Sequence, residues 1–326
     1  MISKSFRLSN GFWHKFLPNS SKLFSPQNIP IEIWDVDKRA RESKWHPGIY
    51  GMENLTVSNH GDKFVILGGW ITSRPNKSEF KVYDINTLEC VDEFFVMEKC
   101  TNPKFTYDDK NLIFGTWEGI VYKYCFQEKR LTKQFVLENH MFDLAHHGKL
   151  NNHLYAAVTK QVDEHNEHPF SFVLEYNVAE KTGKQIYFTD DANAREPDDQ
   201  SPRWSVCGLA LHNEKLAVLM SSYGGTEGGN LVHIAKLYMY DTKTKETTLI
   251  KEGFKIRDIF DDYGSIVWNH RGNKVAFIGL HEVYIIAIEN STEITLPFER
   301  ATSVEFSNCD TGIAVGGEKA KMFKIE

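Results

Sequence analysis

Residues 265–279 read SIVWNHRGNKVAFIG. His270 and Arg271 stand between two asparagines and apolar flanks, so the segment is either a reactive cluster or a turn between two strands. The flanks SIVW (265–268) and KVAFI (274–278) are rich in β-branched and aromatic residues, which suit a pleated, half-buried surface. The middle is Asn and Gly, residues that tolerate positive φ and close tight turns. The segment therefore reads as a hairpin, with His270 and Arg271 as solvated turn residues.

The same form recurs. LTVSNHGDKFVIL (55–67), KFTYDDKNLIFG (104–115), LALHNEKLAVLM (209–220) and VEFSNCDTGIAVG (304–316) each join a short strand, a polar turn and a more apolar strand. Unrelated sites would not share one pattern, so a repeated structural unit is the simpler account. A further element follows each hairpin: IEIWDV (31–36), FKVYDI (80–85), VYKYCF (121–126), VLEYNV (173–178), LYMYDT (237–242), VYIIAI (283–288) and MFKIE (322–326). Their aligned positions are Trp34, Tyr83, Tyr124, Tyr176, Tyr240, Ile286 and Phe323, which makes seven copies. Most are followed by a polar turn and another strand, as in LECVDEFFV and RLTKQFVL. Each unit then holds four strands, a to d.

Seven four-stranded units with an aromatic-Asp pair ending the third strand resemble a WD40-type β-propeller. Trp34-Asp35 is a literal copy of the family dipeptide, and Tyr83-Asp84 and Tyr240-Asp241 are near copies. The Gly-His pair that usually opens a WD40 repeat is absent, and the repeat length wanders, so the resemblance is to a divergent member. It implies an all-β, seven-bladed β-propeller of four-stranded antiparallel blades, and a binding scaffold more often than an enzyme. The last unit, 302–326, holds only strands a, b and c. An unpaired edge there is a liability, and residues 4–9, KSFRLS, alternate Phe6 and Leu8 as a strand does. That N-terminal strand is predicted to close the ring, as in propellers of this kind. Strand a of unit one is then expected near Phe12, and residues 1–326 form one domain.

Composition sets outer limits. The 326 residues are 25% charged and 13% aromatic, as suits a globular chain with a large core. A net charge of -6 supplies no basic field for nucleic acid or anionic membrane. No apolar run is long enough to span a bilayer, and MISKSFRLSNGFW lacks a signal peptide's apolar core. Cys90, Cys100, Cys125, Cys207 and Cys309 form no CxxC pair, so free thiols in a reducing cytoplasm are expected.

Because antiparallel strands alternate direction, a–b and c–d turns share one face, and b–c and d–a connections share the other, the top. The long connections, 71–79, 161–169, 190–204 and 223–230, all belong to the top. Long insertions on one face of a repeat protein mark its binding surface, and three of these four lie on units four and five. Trp and Arg dominate interface hot spots. The candidate partner-binding residues are Trp45, Tyr50, Trp70, Arg74, Trp117, Arg195, Arg203, Trp204 and Tyr223, with a protein or peptide as the partner. Trp34 and Trp268 lie within strands and are assigned to the core.

The chemical motifs are weaker. His165 and His168 in QVDEHNEHP have a metal-like spacing, but a generic one in a polar loop, so no metal or other cofactor is expected. TDDANAREPDDQSPRW carries five acidic residues, read as a solvated face or as an acidic lip for a basic partner. YGGTEGGN lacks the following helix that a phosphate loop needs and reads as a flexible hairpin tip. The alternative function is a metal-dependent hydrolase or lactonase at the channel mouth. It would use Glu53 or Asn54, Asn102, Asp143 and Asp262, residue types that also suit turns.

Overall fold

Lys63–Gly68 (KFVILG) is buried along nearly its whole length and must be covered on both faces, whereas Ala40–Trp45 (ARESKW) is exposed almost throughout and must lie at an edge. The computed structural model orders every unit by this contrast. It describes residues 2–8, 14–26, 30–49, 51–69, 77–136, 140–145, 153–160, 170–177, 180–186, 188, 204–227, 230–257 and 266–325.

Strand β1 (Ile2–Arg7) comes first in the chain. Blade one follows as β2 (Lys15–Phe16), β3 (Lys22–Pro26), β4 (Ile31–Asp35) and β5 (Ala40–Trp45). Blade two is β6 (Met52–Val57), β7 (Lys63–Gly68), β8 (Ser78–Asp84) and β9 (Cys90–Val96). Blade three is β10 (Cys100–Phe105), β11 (Asn111–Thr116), β12 (Ile120–Cys125) and β13 (Arg130–Val136). Blade four is β14 (His140–Ala145), β15 (His153–Lys160), β16 (Phe170–Asn177) and β17 (Thr182–Ile186). Blade five is β18 (Ser205–His212), β19 (Lys215–Glu227), β20 (Asn230–Asp241) and β21 (Thr247–Arg257). Blade six is β22 (Ile266–Trp268), β23 (Lys274–Ile278), β24 (Glu282–Ala287) and β25 (Glu293–Pro297). Blade seven holds β26 (Ala301–Phe306), β27 (Gly312–Gly317) and β28 (Lys321–Ile325). All seven sheets are four-stranded and antiparallel, a seven-bladed β-propeller.

The fourth strand of blade seven is β1, paired antiparallel with β28 through Ser5↔Phe323, Phe6↔Met322 and Arg7↔Lys321. Leu8 N then donates to Ala320 O, and the Leu8 side chain is buried. The strand spans Ile2–Arg7, not the 4–9 expected. The first inner strand begins at Lys15, and the expected start near Phe12 lies outside the described residues.

The c–d turns explain the aromatic-Asp pair. Tyr83 and Tyr240 are buried between blades, while the Asp that follows each one caps the turn. Asp35, Asp84 and Asp241 each accept two backbone N–H groups, two and three residues on. Those bonds satisfy turn donors that would otherwise need water. Five residues after each of the first six aligned positions the backbone turns left-handed, at Arg39, Leu88, Lys129, Lys181, Lys245 and Ser291. Lys38, by its ammonium and its backbone N–H, holds the Asp35 carboxyl down to about 2. Backbone N–H bonds lower Asp84 and Asp241 as well.

One expected loop is instead a strand extension. YGGTEGGN continues the ladder, with Tyr223↔His233, Gly225↔Val232 and Glu227↔Asn230 in register, so β19 and β20 project beyond the other blades' strands. Strand β21 follows them, pairing Arg257 with Val232. Glycine serves close packing here: a Cβ on Gly224 would lie 2.8 Å from Ile234 Cγ1. Trp268 is partly buried against the core between blades five and six, and its Nε1 donates to Ala210 O at 2.8 Å. Trp34 is partly buried as well, and packs in the cluster that joins blades seven and one.

Candidate protein-interaction face

The a–b turns form a stitched lower face. Ser58, Thr106, Asn269 and Ser307 occupy one turn position, and the side-chain oxygen of each accepts the backbone N–H five residues on. The residue three after each is left-handed: Gly61, Asp109, Gly272 and Asp310. Where that residue is Asp, it caps the preceding blade's turn. Asp109 accepts from Asn59 N and His60 N, and Asp310 accepts from His270 N and Arg271 N. Where it is Gly, a ring of the preceding blade fills the space. A Cβ on Gly272 would meet His212 Cδ2 at 2.2 Å, and one on Gly61 would meet Pro18 Cβ at 2.9 Å. NHRGN is thus a turn: Asn269 caps it, Gly272 bends it, and the exposed His270 and Arg271 contribute their backbone N–H groups.

The central channel holds a cavity of about 470 Å3. It is lined by the Lys15–Glu305 ion pair (2.8 Å) and by Asn54 and Asn102. Asn54 Nδ2 donates to Asn102 Oδ1 at 2.8 Å, so the fold brings these two proposed hydrolase residues together. The side chain of Asp143, and Asp262 altogether, lie outside the described residues. Among the described residues, no three His, Cys, Asp or Glu side chains gather closely enough to hold a metal ion.

Four of the seven exposed large apolar side chains among the described residues lie toward the top face. Trp117 sits in the b–c turn of blade three, 43% exposed, with Lys99 Nζ 3.5 Å from its ring centroid. Its backbone N donates to Lys99 O at 3.0 Å. Phe95, at the top end of β9, is exposed beneath Lys77 Nζ at 3.8 Å. Met97, just past that strand, is 72% exposed, and Val136, at the top end of β13, is exposed as well. Val136 pairs with Ile120, which leads out of the Trp117 turn.

The other candidates separate by position. Trp45 ends β5 and packs edge-on against Phe64 and Tyr83, with centroids 5.6 and 4.8 Å away, in the seam between blades one and two. Trp204 precedes β18, is partly buried against the core of blades four and five, and has Lys236 Nζ 4.5 Å over its ring. Tyr223 lies in β19, and its side chain is outside the described set. Tyr50, Trp70, Arg74, Arg195, Arg203, His165 and His168 lie outside the described residues. Sequence reasoning missed Phe95, Met97, Val136, Lys77 and Lys99. Their signal was an outer strand, CVDEFFV, with Val91 and Phe95 on one side where edge strands usually carry charge.

No protein-family model and no curated protein matches the sequence. Among solved structures, the fold is similar to the β-propeller domain of Cps50 (Swd1) from Myceliophteria thermophila. The TM-score is 0.68 at 13% identity, over 100% of this chain and 99% of that one. In all, 1258 solved chains match, so the fold is a common one and does not by itself select a function.

Proposed function

We propose that the chain is a non-catalytic scaffold that binds a protein or peptide through its b–c and d–a face. One observation carries the reading: of seven exposed large apolar side chains among the described residues, Phe95, Met97, Trp117 and Val136 lie at the top of blades two and three. Exposed apolar side chains concentrated on one face support an interaction site there. The lower face spends its polar groups on blade-to-blade stitching. The likeness to the Swd1 propeller supports a fold well suited to such a role. The partly buried Trp204 adds a third aromatic on the same face, over blade five.

The test is site-specific photocrosslinking in a cell extract, with a photoreactive phenylalanine at position 117 and, separately, at position 107 on the lower face. A discrete adduct is expected at 117 and not at 107. An adduct at 107 alone would reverse the orientation.

A further inference from the structure

We draw no further inference here: the strongest candidate, the pocket of about 220 Å3 at the lower rim of the seam between blades seven and one, lined by the exposed Cys309 with Arg39 and Lys324, rests on a lone cysteine, and nothing else in the structure points to a ligand that would occupy it.

Discussion

Replacing Asp310 should cost far more than replacing the conspicuous residues it holds. Its side chain is 7% exposed, and it accepts His270 N at 2.8 Å, Arg271 N at 2.9 Å and Asn269 Nδ2 at 3.0 Å. Hydrogen bonds to a charged group contribute about 1.5–3 kcal/mol each, but the His270 and Arg271 N–H groups lie in an exposed turn and regain water, so Asp310→Ala should cost about 2–4 kcal/mol in all. At about 2 cal/mol/K per residue, a chain of this length loses roughly 3–6 °C in melting temperature. The double change His270→Ala with Arg271→Ala leaves the backbone donors in place. It should stay within about 0.5 kcal/mol, or about 1 °C. The Arg271 ion pair at 4.0 Å adds little, because that side chain is 76% exposed. Asp310→Asn keeps a residue type tolerant of the left-handed backbone and retains one acceptor, so it should fall between the two. Thermal unfolding followed by near-ultraviolet circular dichroism reads all three. If Asp310→Ala melts no lower than the double variant, the stitching argument is wrong.

Three other outcomes follow from the same geometry. Gly272→Ala should destabilise through its clash with His212 and its φ of +67°, and adding His212→Ala should recover part of the loss; a double-mutant cycle with no coupling would refute the contact. Deleting residues 1–8 removes β1 and uncovers β28, so the melting temperature should drop, and an unchanged value would refute ring closure by that strand. The Asp35 carboxyl is lowered from 3.8 to about 2 on folding, so the stability it contributes is present above about pH 4 and is lost as pH falls toward 2. Asp35→Asn should flatten the acid limb of melting temperature against pH in that window, and an unchanged slope would count against the assignment.

The fold was legible because the same physics recurs in each blade. Tyr83 and Tyr240 must be buried and Asp84 and Asp241 must cap turns, so residue type and spacing together betray the third strand. Strand bounds were less legible, as at β1, because alternation of Phe6 and Leu8 sets a register and not an end. Glycine misled at Gly224, where it reads as a loop but makes room for Ile234. Residue type also did not separate Trp45, lodged in a seam, from Trp117 at the surface. Trp45 ends an outer strand and Trp117 follows a second strand, and their surroundings are set by neighbouring blades distant in sequence. Phe95 was overlooked for the converse reason: apolar residues in a strand read as core unless the strand is known to be an edge.

The pairing of β1 with β28 also orders events during synthesis. About 300 residues separate Arg7 from its partner Lys321, and closing a flexible loop of that length costs about 5 kcal/mol before any contact offsets it. Blades one to six draw on strands close in sequence and can form as they leave the ribosome, each one shortening the loop that remains. Until residues 321–325 emerge, β1 has no partner strand and presents an open edge. The ring is therefore open to mispairing for as long as the intervening residues take to be made, and its seventh blade waits on a strand made before the other six blades.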